Sequence, residues 1–498
     1  MRRGAISLTA AGMLDFALQL LLPVVLVRLL PASAFADYRL AWLAIGTAMA
    51  LAPLALPRSL FYFLPRSTSA QRPAYVHNTV LLLLATGACA GLLLGPWNTL
   101  LPDSLRHIAG AAWFLPAFLS LWVAASLAEF LPSVRGQASR QAVLIVVLAC
   151  LRVAVIALAA LTGRVEVVFA ALLAYAAFKL ALVLADVRRN YRSPPPAVSD
   201  LDIALDPGVT RLGALRIQLA YALPFGLGSA LFLLRGQADQ WVAATLFTAA
   251  AFAAFSIGAV VMPLVALVRT SIANTISARL SCLQAQRECD GMLQLNQRAN
   301  LAAVFVLLPA LALIAVLAEH IVTLLYTPTF IAAADVMRIN CLALVGVAVE
   351  VSTLTMVLNQ GRYLLVADAL LLPVGVAGAA LGATLWGLPG AALGNILTLA
   401  AGNAFSFWRV ARATNVPLAR LQQWNALLRI FVCAIVAALP ALLVDRAAVV
   451  RLPLPEALLI GVVYLLAYLL MLRMLGLAPQ LRAFFGNRRP AIIAAVKE

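Results

Sequence analysis

LIVVLACLRVAVIALAAL, residues 144–161, carries one charged side chain, Arg152, in an otherwise apolar run. A run of about 20 apolar residues is long enough to cross a bilayer as a helix. A charge near the centre of such a helix costs about 2.5–3.5 kcal/mol or more, so it faces the protein interior. The stretch therefore predicts a membrane span in which Arg152 meets a carboxylate partner, a water-filled cavity or an anionic ligand.

The composition of the chain indicates that this span is one of many. Of the 498 residues, 64% are hydrophobic and 11% are charged, and the mean hydropathy is +1.00. Soluble domains are about 45–50% apolar and about 25% charged. The composition excludes a soluble protein and predicts a multi-pass membrane protein. The first apolar run meets Arg28 and Pro31 rather than a small-residue cleavage site, which predicts a retained first span.

The basic residues are scattered singly between the apolar runs. The formal net charge is +17, from 36 Lys+Arg against 19 Asp+Glu. Because these cations do not cluster with aromatic residues on a soluble module, they argue against a nucleic-acid partner and favour loops held at an anionic membrane surface. The cysteines have neither metal-site spacing nor a histidine nearby, so we expect no disulfide framework, no metal and no cofactor.

About fourteen apolar runs are long enough to be spans. Their approximate ranges are 6–30, 40–64, 78–96, 109–131, 143–163, 166–186, 214–234, 242–268, 299–320, 337–358, 363–385, 389–408, 426–444 and 453–472. Prolines predict breaks in the second run, at Pro53 and Pro57, and in the seventh, at Pro224. The region 320–340 is typical of a re-entrant or interfacial connection.

The loops indicate the orientation in the membrane. With the N-terminus inside, about 23 Lys/Arg lie in cytoplasmic segments, about 8 lie outside and about 5 lie in the membrane. The opposite orientation inverts this ratio. Both termini are therefore predicted to be cytoplasmic, with an even number of spans.

Two polar segments separate the spans. Residues 188–211 are rich in Pro and Asp and have no apolar period, which is typical of a linker. The loop 269–298 holds Ile272, Ile276 and Leu280 at helical spacing, which predicts a short interfacial helix. Neither segment is suited to form a soluble catalytic domain.

The linker suggests an internal repeat. Phe35 and Tyr38, after the first span, match Phe252 and Phe255 in the eighth, and an even number of spans between the copies gives parallel repeats. We therefore predict an all-α integral membrane protein of about 14 transmembrane helices, with two six-helix lobes and a C-terminal pair. The predicted division is an N-terminal lobe at 1–187, the cytoplasmic linker at 188–211, a C-terminal lobe at 212–408, and the last pair with a cytoplasmic tail at 409–498.

Several charged residues fall inside or beside the spans and are candidates for function. Arg152 is too deep to snorkel to the surface, and a buried ion pair and a cationic cavity both remain open for it. Asp15 is a candidate partner for Arg58 or a protonatable coupling group. Asp239 follows a span outside the membrane, where we expect it to be solvated. The other candidates are Lys179, Arg216, Glu350, Asp368 and Arg429.

The sequence favours transport over catalysis. The only histidines, His77, His107 and His320, lie near span ends, and no nucleophile and base are spaced for catalysis. There is no GxxxxGK[ST] motif, so this chain is not expected to hydrolyse ATP. The short predicted outer loops count against a polymerase or ligase of polysaccharide assembly, although that class stays open until the topology is mapped.

Two parts of the chain carry a family resemblance. The first is LLPASAFADYRLAWLAIGTAMALAPLALPRSLFYFLPR, and the second extends from ALRIQLAYALPFGLGSALFLLRGQADQW through LYTPTFIAAADVMRI. Both resemble the polysaccharide (Wzx-like) flippases of the multidrug/oligosaccharidyl-lipid/polysaccharide (MOP) exporter superfamily. The resemblance covers most of the chain, and its motifs are loose. It implies a non-enzymatic carrier in the bacterial inner membrane. Such a carrier moves undecaprenyl-pyrophosphate-linked oligosaccharide to the outer leaflet for O-antigen, capsule or exopolysaccharide assembly.

The resemblance also assigns roles to the charged residues. Arg58 and Arg216 become candidates for a cationic cavity that holds the pyrophosphate, and Arg269 becomes a gate candidate; Arg152 is added from its burial. Possible coupling or ion-pair carboxylates are Asp15, Asp239, Glu350 and Asp368. The implied partners are the lipid-linked oligosaccharide, membrane lipids, and the polysaccharide polymerase with other assembly proteins, around a working monomer. A drug/cation antiporter and a peptidoglycan lipid-precursor flippase of the same superfamily remain alternatives.

Overall fold

All regular secondary structure in the described part of the chain is helical, which confirms the all-α prediction. The computed structural model describes residues 2–67, 71–95, 97–98, 114–191, 211–447 and 453–477. The helices of nine residues or more in these ranges are α1 (Arg2–Leu29), α2 (Ala32–Leu51), α3 (Leu56–Arg66), α4 (Arg72–Leu93), α5 (Phe114–Ala125), α6 (Ala138–Ala160), α7 (Val165–Tyr191), α8 (Arg211–Gly236), α9 (Ala238–Leu246), α10 (Ala249–Gly258), α11 (Val261–Ala285), α12 (Cys289–Val316), α13 (Ala333–Val347), α14 (Gly361–Thr414), α15 (Trp424–Ala447) and α16 (Pro453–Met474).

Among the described residues, 12 helical segments are long and apolar enough to cross a membrane. The chain is therefore a multi-pass membrane protein. One of these segments, α14, has 54 residues. At 1.5 Å per residue it is about 80 Å long, more than twice the hydrocarbon core of a bilayer.

α14 is two helices joined by a sharp turn. Trp386 and Gly387 leave the helical conformation, and Gly387 has a φ of 66°, which glycine adopts without strain. The two halves then pack closely, because a Cβ on Gly382 would lie 2.0 Å from the carbonyl oxygen of Gly390. Only glycines permit this approach, so α14 is a hairpin of two spans.

The tenth predicted span is a broken helix. α13 ends at Val347, and a short helix resumes at Ser352–Val357, so neither piece reaches the length of a full span. Among the described residues, the 12 candidate spans, one of which is the α14 hairpin, are therefore close to the predicted number of about fourteen.

Of the two helix breaks predicted at prolines, the structure contains the one in the second span and not the one in the seventh. Between α2 and α3, Leu54 and Ala55 adopt positive φ values of 47° and 57°, as the predicted break at Pro53 and Pro57 requires. The predicted break at Pro224 is wrong, because α8 continues through that residue to Gly236. Proline is tolerated within membrane helices where local adjustments and neighbouring helices satisfy the freed backbone groups.

The predicted loop at 269–298 is almost entirely helical. α11 extends to Ala285 and α12 begins at Cys289, so the expected interfacial helix is the continuation of a span. The helical spacing predicted for Ile276 and Leu280 is confirmed, since both side chains lie on one face of α11 and are buried against the start of α12. The separate interfacial helix is therefore wrong.

The chain divides into two compact units. Unit 1 comprises Met1–Leu234 and Phe247–Ala253, and unit 2 comprises Arg235–Leu246 and Ala254–Glu498. In unit 1, α1 packs on α6, and α5 packs on α4 and α7. In unit 2, α14 packs on α9 and α13, while α15 packs on α12 and α16. Residues 192–210 of the predicted linker and the predicted tail after 477 lie outside the described residues, and the four-part division remains a prediction.

The two halves of the predicted repeat have the same local register. α2 and α10 each begin after a two-residue connection from the preceding helix. Phe35 and Tyr38 are the fourth and seventh residues of α2, and Phe252 and Phe255 are the fourth and seventh residues of α10. All four side chains are buried, with at most 2% of their surface exposed. The sequence match therefore marks buried positions at the same place in the two helices.

Candidate functional site

Arg152 forms an ion pair inside unit 1. Its Nη2 lies 2.9 Å from Oδ1 of Asp15, which joins α6 to α1. The other carboxylate oxygen of Asp15 accepts a hydrogen bond of 2.8 Å from Gln19. The expectation that Asp15 could pair with Arg58 is wrong, because Asp15 lies on the face of α1 that packs on α6. Of the two alternatives for Arg152, the structure contains the ion pair.

Unit 2 contains a second ion pair of the same kind. Nε of Arg235, on α8, lies 2.9 Å from Oδ1 of Asp368 in the first half of α14. Nη1 of Arg235 also donates to the carbonyl of Thr398 at 3.1 Å. Sequence reasoning missed Arg235, because it ends an apolar run and resembles a residue at the membrane surface. Its partner Asp368 is 133 positions away, so no local spacing in the sequence marked the pair.

Arg269 and Glu350 are partners in unit 2. Arg269 pairs with the Glu350 carboxylate and donates to the carbonyl of Val347. Asn300 donates to the backbone carbonyl of Glu350 at 2.8 Å and accepts from its N–H at 3.3 Å. These side chains satisfy the backbone where the helix breaks between α13 and Ser352, as an interruption at membrane depth requires.

Asp239 is fully buried. None of its surface is exposed, so the expectation of a solvated side chain is wrong. Its Oδ1 accepts from the N–H of Gln240 at 2.9 Å. Its Oδ2 and the Nδ2 of Asn395 are buried without a well-formed hydrogen bond to the described residues, although the two side chains are close enough to interact. Asp239 is thus the one predicted carboxylate, of four, that has no arginine partner in the described residues.

Lys179 does not extend to the membrane surface. Its side chain is buried, its Nζ lies 2.7 Å from Oε1 of Glu129, and it also faces the ring of Trp122. Asp186, seven residues along α7, is held instead by Arg135, whose guanidinium donates to both carboxylate oxygens at 2.6 and 3.0 Å. The two charges on α7 therefore have separate partners.

Arg58 and Arg216 differ from the other candidate arginines. Both side chains are exposed, and neither has a partner among the described residues. Arg58 lies on α3 directly after the break of the second span, and Arg216 lies in the first turns of α8. Of the four arginines predicted to line a cavity, these two remain available to an anion.

A buried polar link positions the helices that carry these arginines. Gln218, on α8, donates to Oγ of Ser59 at 3.0 Å and to Oγ1 of Thr79 at 2.8 Å. Arg58 adjoins Ser59, but it is exposed whereas Ser59 is buried. Arg216 precedes Gln218 by two residues, about 200° around the helix, and therefore lies on the opposite face of α8.

Small residues bring α8 close to the break of the second span. Ala214, Gln218, Ala222, Gly226 and Ala230 are the buried stripe of α8, spaced every four residues. A Cβ on Gly226 would lie 2.7 Å from the backbone carbon of Leu54. The tyrosines of the two helices also stack, with the rings of Tyr62 and Tyr221 4.7 Å apart. The stripe leaves the remaining faces of α8 exposed.

No protein-family model and no curated protein matches the sequence. Solved structures match its fold. An inward-closed structure of the lipid II flippase MurJ superposes with a TM-score of 0.64 at 10% identity, covering 94% of this chain and 98% of that one. An inward-facing multidrug resistance MATE family transporter of the MOP superfamily gives 0.61 at 15% identity, over 82% of this chain and 99% of that one.

A third match is a MOP superfamily transporter from Pyrococcus furiosus, whose binding pocket is described as having reversed polarity. It gives a TM-score of 0.56 at 14% identity and covers 82% of this chain and 96% of that one. The fold of this chain is therefore the fold of MOP superfamily transporters. These identities establish the fold and leave the substrate open.

Proposed function

We propose that this chain is a flippase. It moves undecaprenyl-pyrophosphate-linked oligosaccharide from the cytoplasmic to the outer leaflet of a bacterial inner membrane, for the assembly of O-antigen, capsule or exopolysaccharide. Both termini are cytoplasmic. The carrier works by alternating access around a cationic cavity, with the acyl tail of the substrate remaining in lipid.

The observation that carries this proposal is the contrast between paired and unpaired arginines. Arg152, Arg235 and Arg269 each have a carboxylate partner, whereas Arg58 and Arg216 are exposed without one among the described residues. An exposed guanidinium near the end of a membrane span keeps its charge in water, where an anion can reach it. A pyrophosphate is a suitable anion, because guanidinium binds phosphate oxygens in a bidentate manner.

The paired charges have a different role in this proposal. The Asp15–Arg152 pair holds α1 and α6 of unit 1 together, and the Arg235–Asp368 pair anchors the first half of α14 in unit 2. Asp239 is the candidate for coupling to an ion gradient. A fully buried carboxylate without a cationic partner is stable only when a proton or a cation neutralises it.

Among the alternatives, one observation favours a peptidoglycan lipid-precursor flippase. The match to the lipid II flippase extends over 94% of this chain, whereas the MATE transporter covers 82%. The wider coverage supports a lipid flippase over a drug/cation antiporter. It does not distinguish lipid II from another polyprenyl-linked sugar.

A strain deleted for the gene tests the proposal. Undecaprenyl-linked sugars would be extracted and their leaflet assigned with a membrane-impermeant glycan-modifying enzyme. We expect a complete lipid-linked oligosaccharide to accumulate on the cytoplasmic face while surface glycan is lost. Accumulation of lipid II instead would transfer the assignment to peptidoglycan synthesis, and unchanged lipids with intact surface glycan would refute flippase activity.

A further inference from the structure

Unit 1 contains an amphiphilic groove that the transport proposal does not use. It lies between the beginning of α6 and the end of α7, has a volume of about 300 Å³, and is called the α6–α7 groove below. This volume is at the lower end of the range for small-molecule sites, about 300–1,000 Å³. Its lining includes Leu131, Arg140, Val143, Val147 and Leu182.

The groove is polar at one end and apolar along the rest. Arg140 lies at one end, and Val143 and Val147 follow on the same helix, so the lining extends about 10 Å along α6. Val143 is 64% exposed and Val147 is 55% exposed. Because these valines lie on a membrane-spanning helix, the groove opens toward lipid. An elongated amphiphile aligned with the helices fits this arrangement.

Of the described charged side chains at the polar end of the groove, Arg140 is the one available to bind an anion. Asp186 is neutralised by Arg135, which binds both of its oxygens. Although burial lowers the pKa of Arg135, the hydrogen bond and charge of Asp186 raise it above the ordinary value overall, so Arg135 stays charged. Arg140 is more loosely held, with Nη2 3.7 Å from Asp186 and 57% of its side chain exposed. Two arginines and one aspartate therefore carry a net positive charge at the mouth of the groove.

We propose that the α6–α7 groove binds one anionic phospholipid, with its phosphate at Arg140 and one acyl chain along Val143 and Val147. The guanidinium donates charge-assisted hydrogen bonds to the phosphate oxygens. The apolar floor holds the acyl chain by van der Waals packing, because no water is displaced in the hydrocarbon region of the membrane. A zwitterionic phospholipid carries a compensating cation and is bound more weakly.

Native mass spectrometry of the full-length protein tests this proposal, with phosphatidylglycerol titrated against phosphatidylethanolamine and undecaprenyl phosphate. We expect Arg140→Gln to reduce the phosphatidylglycerol adduct about tenfold, as the loss of one charge-assisted hydrogen bond implies. Val147→Trp fills the groove and should reduce the adduct similarly. The matched controls are Arg189→Gln, an exposed arginine on α7, and Leu158→Trp, an exposed position on α6 outside the groove.

Each result decides for or against the groove. Selective loss in Arg140→Gln and Val147→Trp, with both controls unchanged, supports it. If Val147→Trp does not fold, Arg140→Gln alone decides, because the Arg140 side chain is exposed and Asp186 is still held by Arg135 when it is replaced. Equal retention of phosphatidylethanolamine overturns the role of charge, and preferential retention of undecaprenyl phosphate assigns the groove to substrate. Adducts that survive in both groove variants exclude the site.

Discussion

Asp15 and Arg152 lie 2.9 Å apart on the first and fifth spans of the chain. The predicted repeat matches these spans with the seventh and the eleventh, which are joined by Arg235 and Asp368, also 2.9 Å apart. The acid and the base have exchanged places. Each predicted lobe therefore contains an ion pair between two of its spans, and the two pairs have opposite polarity.

This relationship predicts that removing one partner will be more harmful than removing both. Breaking a buried pair leaves an uncompensated charge and costs about 3–5 kcal/mol, whereas replacing both partners is close to neutral. We expect Arg152→Ala to lower the melting temperature and the yield in detergent, and the double variant Asp15→Asn, Arg152→Gln to recover most of the loss. Equal stability of the single variant and the wild type would contradict a structural role for the pair.

Arg58 and Arg216 are predicted to affect transport and not stability. Both side chains are exposed and have no described partner, so their removal leaves no buried charge behind. We expect Arg58→Ala and Arg216→Ala each to reduce oligosaccharide flux tenfold or more, about 1.4 kcal/mol, with unchanged protein abundance. Flux would be measured by recovery of surface glycan in the deletion strain. Arg446→Ala, at an exposed position near the end of α15, is the matched control.

Asp239 is predicted to couple transport to an ion gradient. Asp239→Asn keeps the shape of a fully buried side chain and removes its ability to bind a proton or a cation. We expect the variant to fold and to lose the stimulation of flux by an imposed gradient. Asp290→Asn, at an exposed position in the first turn of α12, should behave as wild type. Gradient-stimulated flux in Asp239→Asn would exclude Asp239 as the coupling group.

The packing of α8 against the break of the second span depends on one glycine. A Cβ at Gly226 would lie 2.7 Å from the Leu54 backbone, closer than real contacts allow, so Gly226→Ala must displace α8. We predict a loss of stability of about 1–3 kcal/mol, as for other overpacked sites, read as a lower melting temperature. Gly236→Ala, on the same helix with no atom within 4 Å of the added Cβ, should leave it unchanged.

The sequence alone predicted most of the membrane helices and the matching positions of two aromatic residues within them. Apolar runs of membrane length predicted the helices, and the matching positions of Phe35 and Phe252 lie at the same place in their helices. Those signals depend on local spacing, which one chain contains in full. The prediction at Pro224 failed for a physical reason, since membrane helices accommodate proline that would break a helix in water.

The partners of the charged residues could not be read from the sequence. Asp15 and Arg152 are 137 positions apart, and their contact follows from which faces of α1 and α6 pack together. Arg235 was overlooked because it lies where an apolar run ends, although its side chain is buried. Burial was also misjudged for Asp239, whose neighbour Asn395 comes from a distant helix. Single-sequence reasoning found that charges lay in the membrane and left open which ones were free.

The most direct test of the central claim is transport by the purified protein. The chain would be reconstituted in vesicles with fluorescent undecaprenyl-pyrophosphate-linked oligosaccharide, and the fraction reaching the opposite leaflet would be followed by quenching with a membrane-impermeant reagent. We predict transfer by the wild-type protein and by Arg446→Ala, and at least about a tenfold slower transfer by Arg58→Ala and Arg216→Ala. Absence of transfer by the wild type, in vesicles where the same protein moves lipid II or a cationic drug, would contradict the account.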